Sequence, residues 1–323
     1  MAWSPRRGFR DPFGGREDLA AGVIRCVGDP EARFREDALR ILRALRFAAV
    51  YDFAVEGRTA AALHGERELL GRIAWERVGS EIRRMAAGPG ARRVLLEFPD
   101  VLAVPIPEIG PMVGFAQRTP WHHLDVWEHT ALAAASAPPD EVTRLALLFH
   151  DMAKPACFTL GADGTGHFYG HGAAGAKMAE EITARLRLDN GARRAVAELV
   201  ARHDLPLQPE PAMVRRWLGR LGEEQLRRLI AVQKADALAQ APGVAEERLT
   251  RLGQVERLLD QVLEEKQCFS LKDLAVNGQD LLAEGVPPGP TVGRELRSLL
   301  ELVVEGRAAN DRDTLLKLVR NGN

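Results

Sequence analysis

The chain has 323 residues, with 44 Lys and Arg against 45 Asp and Glu, a net charge of −1, and 46% hydrophobic residues. That length leaves room for more than one buried core. Cys26, Cys157 and Cys268 are odd in number and widely spaced, so no disulfide framework or zinc-type cysteine pair follows from them, and a reducing cytoplasm fits. The arginine-rich start (Arg6, Arg7, Arg10) lacks the apolar core of a signal peptide, and no apolar run approaches membrane-spanning length.

The total charge says little about partners; its distribution says more. Residues 1–98 carry 18 arginines and no lysine against 14 acidic residues. An arginine-only basic face suits phosphate and base contacts. The same arginines also read as ordinary solvated helix faces.

In chain order, residues 1–28 read as a strand, a Gly-Gly turn and a second strand around Val23–Val27. Two strands alone make no stable sheet, so further strands or a helix must cover them. After Asp29-Pro30 the pattern turns helical, with Ile41, Leu42, Leu45 and Ala49 at three- and four-residue spacing. Helices are expected over 58–70 and from about 75 to 87, ending at Gly88-Pro89-Gly90. Pro99–Pro120 reads as a connector with short helices. Helices resume near Asp125 and run to about residue 240, with one Gly-rich break at 161–172, where Gly161–Gly166 forms a hairpin or a loop. Ala241-Pro242-Gly243 marks a boundary. The last eighty residues read as helical, broken by Val286–Pro290.

The chemistry-bearing residues fall in a series: His129, His150-Asp151, His171, His203 and Asp236. Imidazole and carboxylate suit divalent transition ions. Set among Ala and Leu on helices, these groups are costly to bury unpaired, and a metal resolves that cost. Taken singly, each histidine also reads as a hydrogen-bonded core or surface residue. In this order the series resembles the HD phosphohydrolase superfamily. The resemblance implies a divalent ion (Mg, Mn or Ni) on His129, His150, Asp151 and Asp236, with His150 and Asp151 as catalytic residues. His171 and His203 match the positions that add a second ion, so one or two ions stays open. The implied chemistry is phosphoester hydrolysis, in which the ion acidifies water and draws charge from the phosphoryl oxygens. His64, His122, His123 and His167 are expected to be structural or surface groups, with His167 also able to support a phosphate. Arg202 and Lys154 are expected on the solvated surface, with a phosphate contact as the alternative.

Glu36-Asp37-Ala38-Leu39-Arg40 places Asp37 and Arg40 one helical turn apart, so both can point to one side. A carboxylate accepts from the amino group of cytosine or adenine, and a guanidinium donates to the adjoining ring nitrogen. Uracil and guanine present a carbonyl there instead. The alternative is an i,i+3 surface ion pair, worth little. Together with Asp11-Pro-Phe-Gly-Gly15, Asp18-Leu19, Arg33-Phe34, Arg43 and Arg46-Phe47, this segment resembles the tRNA nucleotidyltransferases (CCA-adding enzymes) and their bacterial poly(A) polymerase relatives. The resemblance implies nucleotide binding by Asp37, Arg40, Arg43, Arg46 and Asp11. Asp11, Gly14 and Gly15 would shape the loop joining head to neck, Asp18 would cap a turn, and Arg43 and Arg46 would meet the triphosphate or hold the neck. Glu76-Arg77-Val78 matches a neck segment and is expected to form ion pairs. Phe269–Gly278 and Pro287–Gly293 resemble the family's tRNA-contacting tail, with Pro290 starting a helix and Gly293 allowing close approach. Arg294 or Arg297 would supply a basic contact there, or the segment is a plain packing module.

These resemblances imply a mostly α fold: a helical neck, an HD-type helical domain and a helical tail, with a short two-strand remnant of an α/β nucleotidyltransferase head. The expected segments are 1–28 for the remnant, 29–98 for the neck, 99–240 for the HD domain and 241–323 for the tail. Met1-Ala2 falls where a head strand should end. The sole Asp-x-Asp, Asp311-Arg312-Asp313, reads as a helix cap rather than the family's metal-binding pair. The chain is therefore expected to be a family member in tRNA 3′-end processing that carries a phosphohydrolase site but does not itself add nucleotides. ATP and CTP are the substrates, and tRNA the partner, of the complete family enzyme; a cytoplasmic location and no membrane partner are expected. The alternatives are a stand-alone HD metallophosphohydrolase acting on 2′,3′-cyclic phosphates or nucleotides, and a non-catalytic tRNA-binding module. CCA against poly(A) addition, and the oligomeric state, stay open.

Overall fold

Side-chain caps start several of the helices. Asp29 accepts from the Glu31 N–H to begin Pro30–Glu36, and Asp125, Asp140, Asp189 and Asn277 do the same for Val126–Ser136, Glu141–Phe149, Asn190–Arg202 and Gly278–Ala283. The computed structural model describes residues 1–241 and 243–322, so Pro242 of the expected boundary lies outside the described residues. Helices dominate, joined by three two-stranded pairings. Among the described residues no helix is long and apolar enough to cross a membrane.

The chain divides into two compact units, Met1–Asp204 with Ala231–Ala245, and Leu205–Ile230 with Glu246–Asn323. These do not follow the four expected segments. In the first unit neck and body share one core. Leu39–Tyr51 buries Ile41, Leu42, Leu45 and Ala49, and Trp75–Ala86 buries Val78, Ile82 and Met85. The Trp127 indole N–H donates to the Leu95 carbonyl at 3.0 Å, tying the neck side to the helix that carries His129. Gly88 lets its turn rest on the end of Leu39–Tyr51, because a Cβ there would overlap the Ala49 carbonyl.

The N-terminal strands depart from expectation. Ala2–Ser4 pairs antiparallel with Gly8–Arg10, while Val23–Ile24 pairs parallel with Ala54–Val55. A helix, Gly15–Ala21, lies between them. The Asp11 carboxylate starts it by accepting from the N–H groups of Gly15 (2.8 Å) and Arg16 (2.7 Å), after Gly14 turns at φ 71°. The Arg16 N–H above all holds that carboxyl below its usual range. Asp18, expected as a turn cap, instead accepts from Arg25 Nε at 3.0 Å. The helix expected over 58–70 is an α-helix only over Gly57–Gly65, followed by a 3₁₀ segment, Arg67–Arg72. Gly161–Gly166 is a hairpin turn between Thr159–Leu160 and Gly166–His167, with the Asp163 carboxylate accepting from the Thr165 N–H at 3.0 Å.

The second unit buries Leu281, Val286, Leu299, Leu315, Leu316 and Val319 between its helices. Pro290 stands first in Pro290–Val304. Gly293 mediates no close backbone approach: a Cβ there would meet only the Arg297 guanidinium, at 3.7 Å. Asp311 accepts from the Thr314 N–H at 2.9 Å at the start of Arg312–Gly322, and Arg312 pairs with Asp280 at 2.8 Å.

Candidate metal centre and nucleotide cleft

Five helices deliver the His and Asp series to one place. His129 lies inside Val126–Ser136, His150 and His203 close Glu141–Phe149 and Asn190–Arg202, His171 opens His171–Arg185, and Asp236 sits near the end of Glu223–Leu238. All six side chains are buried, Asp151 to 1% exposure. Gly175 keeps the His171 helix close to its neighbours, since a Cβ would stand 3.3 Å from Val200 and 3.4 Å from the His150 carbonyl.

The hydrogen bonds fix which imidazole atom faces inward. Nδ1 of His129, His150, His171 and His203 meets the backbone carbonyl of Ala239 (3.1 Å), Leu147 (2.6 Å), Phe168 (2.8 Å) and Val200 (2.7 Å) respectively. A carbonyl only accepts, so Nδ1 carries the proton and, in a neutral ring, Nε2 presents a bare lone pair. Those lone pairs converge on carboxylates. His129 Nε2 is 2.9 Å from Asp236 Oδ1 and 3.6 Å from Asp151 Oδ2, and His150 Nε2 is 3.1 Å from Asp151 Oδ2 and 3.7 Å from Asp236 Oδ1. On the other side, His171 and His203 Nε2 lie 3.5 and 3.8 Å from Asp151 Oδ1 and 3.1 Å from each other.

Acceptor facing acceptor in a buried site is repulsive unless a cation stands between. His150 Nε2 and both Asp151 oxygens are buried without an oriented hydrogen bond. Burial pushes the His150 imidazole down, but the Asp151 and Asp236 carboxylates outweigh it and raise its pKa to about 10, a demand for positive charge at that point. Burial opposes ionisation of Asp151 too, yet His150 and Lys154 hold it well below the usual range. Two donor triads, His129–His150–Asp151 and Asp151–His171–His203, each have ligand atoms within 4.8 Å of one another and share Asp151. This set of neutral nitrogens and carboxylates, braced from behind by carbonyls, fits one or two divalent transition ions.

Of two further neighbours, Asp204 escaped the sequence reading and Lys154 was expected on the surface, with a phosphate contact as the alternative. Asp204, on the exposed rim, comes within 3.0 Å of His171 Nε2 and 3.4 Å of His203 Nε2. Burial resists its ionisation, but the two imidazoles bring its pKa down to about 2. Its position directly after His203 was the one available signal. Lys154, expected on the surface, is 6% exposed, with its ammonium 2.7 Å from Asp151 Oδ2 and donating to Gln117 Oε1 at 2.7 Å. His122 lines the same cleft, hydrogen-bonded to Thr119 at 2.8 Å, and burial, Lys154 and His129 lower its pKa to about 3. His167 also lines it. His64 pairs with Asp100 at 2.9 Å, and Arg202 with Glu198 at 3.2 Å, both away from the cleft.

The neck residues are partly gathered. Asp37, Arg40 and Arg43 line one cavity of about 420 Å³. They do not share a continuous helix: Pro30–Glu36 stops at Asp37, which is extended (φ −148°), and Leu39–Tyr51 restarts two residues on. The Asp37 carboxylate accepts from the Leu39 N–H at 3.2 Å, a local bond that competes with helix continuation. Arg40 pairs with Glu36 at 3.0 Å rather than with Asp37, which lies 3.7 Å from Arg77. Arg46 is drawn away from the cavity by an ion pair with Glu81, its guanidinium 4.1 Å from the Phe47 ring centre. Asp11 lines a neighbouring cavity of about 490 Å³. Glu76 lies 3.7 Å from Arg187. In the second unit Arg297 lines a cleft with Arg216, Arg220 and Lys272, whereas Arg294 bonds Thr291 on its own helix.

Comparison with known proteins decides the family. The A-adding tRNA nucleotidyltransferase of Deinococcus radiodurans is 33% identical over 320 residues, covering 94% of this chain and 72% of that protein. The CC-adding tRNA nucleotidyltransferase of Thermus thermophilus is 34% identical over 316 residues, covering 93% and 70%. The chain belongs to the tRNA nucleotidyltransferase family. A family model described as tRNA nucleotidyltransferase domain 2 matches residues 174–319. The same fold occurs in the Bacillus stearothermophilus CCA-adding enzyme in complex with CTP, at TM-score 0.63 and 23% identity over 99% of this chain and 70% of that one. The Thermotoga maritima CCA-adding enzyme complexed with tRNA follows at TM-score 0.54 and 18% identity, over 97% and 67%. The described residues, in the fold shared with those enzymes, are mostly helical with only short strands.

Proposed function

We propose that this tRNA nucleotidyltransferase family member serves tRNA 3′-end processing in the cytoplasm and carries an HD-type, divalent-metal phosphoesterase site. The observation that carries the hydrolase reading is the convergence of four carbonyl-anchored imidazoles, Nε2 inward, on Asp151 and Asp236. His129, His150, Asp151 and Asp236 would hold one ion, and Asp151, His171 and His203, with Asp204 at the rim, a second. A divalent ion bound there supplies acidified water and neutralises phosphoryl charge. The chain's own residues do the rest. The four backbone carbonyls hold the rings in register, Lys154 offers a buried ammonium to a phosphate oxygen, and the neutral His122 stands beside them without adding charge.

The purified chain should hydrolyse 2′,3′-cyclic AMP with Ni²⁺, Mn²⁺ or Mg²⁺ added, and His150→Ala or EDTA should abolish it. A folded sample without turnover on any of the three ions overturns this reading.

The cavity that brings Asp37, Arg40 and Arg43 together supports a second activity, selection of CTP and ATP. Equilibrium dialysis should find CTP and ATP bound more tightly than UTP and GTP, with the preference lost in Asp37→Ala. Equal binding of all four contradicts it. The basic cleft of the second unit supports tRNA as the partner. Asp311-Arg312-Asp313 is spent on a helix cap and an ion pair, so nucleotide transfer by this chain unaided is not part of the proposal.

A further inference from the structure

Asp151, His171, His203 and Asp236 of the donor cluster line one part of a cleft of about 380 Å³, and aromatic side chains interrupt its otherwise polar walls. Trp121 and Tyr169 line that cleft and remain 51% and 77% exposed. Neither hangs on a loose loop. The Trp121 carbonyl accepts from the Ala241 N–H at 2.8 Å, just beyond Asp236. Tyr169 follows the hairpin that is seated on the neighbouring backbone: the Gly166 N–H donates to the Arg118 carbonyl at 2.8 Å, and a Cβ on Gly166 would overlap the Gln117 carbonyl. The Tyr169 ring is braced against His167, with centres 5.3 Å apart and planes 11° from parallel.

A bare phosphate needs only a cationic contact, which Lys154 and an ion held by the donor cluster would supply. It has no use for two aromatic side chains left exposed at the cleft, one of them stacked on His167. A nucleobase has, because every base offers a flat π face and stacking on aromatic side chains tolerates any base. The cleft's volume also falls at the small-molecule end of the range of binding sites, about 300–1,000 Å³.

We propose that Trp121 and Tyr169 are specificity-determining residues of this cleft, stacking the base of a nucleotide whose phosphate rests against Lys154. The inference rests on the hydrolase reading for its chemistry, though not for binding. The test uses the full chain and two readouts. The first is equilibrium dialysis with adenosine 2′-monophosphate, with and without EDTA. The second is hydrolysis of 2′,3′-cyclic AMP beside glycerol 1,2-cyclic phosphate, which has the same ester but no base.

Trp121→Ala and Tyr169→Ala should each weaken nucleotide binding about tenfold. They should raise KM for the cyclic nucleotide at unchanged kcat and leave the glycerol ester untouched. Trp121→Phe and Tyr169→Phe should bind as the unsubstituted chain does. The proposal is overturned if that chain does not bind the nucleotide at millimolar concentration, if the alanine variants bind it equally well, or if they lose both esters alike. Absent turnover on both esters, with nucleotide binding still sensitive to Trp121 and Tyr169, refutes the hydrolase reading and sustains the stacking one.

Discussion

Arg144 shows how much a single buried charge can organise. The residue is 5% exposed, and its guanidinium donates to four carbonyls: Ala137 at 2.7 Å, Pro138 at 3.1 Å, Gly88 at 3.1 Å and Ala86 at 3.3 Å. Burial lowers its pKa from the ordinary arginine value. Two stretches of chain, the ends of Trp75–Ala86 and Val126–Ser136, are thereby drawn to the helix that delivers His150. Replacing it with methionine keeps the bulk but strands the carbonyls, and should cost about 3 kcal/mol in urea unfolding; a loss under about 1 kcal/mol would contradict this role. Side chains of this kind were not legible in the sequence, where Arg144 is one more arginine on a helix. The residues of the buried histidine and aspartate cluster were legible, because imidazole and carboxylate at apolar helix positions need a reason to be buried. Lys154 was not, since its burial depends on Gln117 and Phe168 arriving from elsewhere in the chain. Arg46 reads like Arg43 in sequence, and only the position of Glu81 separates them.

At the scale of elements, the helices were largely readable from capping residues and apolar spacing, while the breaks and short strands were not. The interruption at Asp37 turns on one carboxylate choosing the Leu39 N–H, and the pairing of Val23–Ile24 with Ala54–Val55 joins segments about thirty residues apart. The Glu56 cap gives this scale a pH signature. Its carboxylate accepts from the N–H groups of Arg58 and Thr59 and from the Thr59 hydroxyl. Burial alone would raise its pKa, but those donors and Arg25 bring it below the usual value of 4.5. A lowered carboxylate stabilises the fold above the unfolded value and loses that contribution as pH falls through the folded one. Glu56→Gln should therefore be less stable by about 1 kcal/mol at pH 7, with the gap closing below about pH 4.5. A gap that stays constant across this range in denaturant titrations would count against it. The hairpin before Tyr169 offers a second check. Gly166→Val forces a side chain into the Gln117 carbonyl and should unseat the hairpin, seen as faster amide exchange at Gly161 and Gly164 with the helices around His129 and His150 unaffected. Unchanged exchange at both glycines would refute it.

At the scale of the whole molecule, the family and the mostly helical fold were visible in the sequence through its motifs, whereas the division into units was not. The neck and body share a core because Leu39–Tyr51 and Trp75–Ala86 present apolar faces that only neighbouring helices can cover. Leu205–Ile230 falls instead with the tail, its Gly219 fitting against the Phe269 carbonyl without room for a Cβ. If the basic cleft in that unit grips tRNA through about four phosphates, the logarithm of affinity should fall with the logarithm of salt with a slope of roughly −3 to −4. Filter binding would show it, and His150→Ala should leave it unchanged; a flat salt response would contradict the assignment.

The account depends most on the buried histidine cluster being a cation site. Crystals grown with Mn²⁺ or Ni²⁺ should give an anomalous difference peak about 2.0–2.2 Å from Nε2 of both His129 and His150, in contact with Asp151 and Asp236. An anomalous map with no peak there, at an ion concentration that occupies other sites on the molecule, would contradict it.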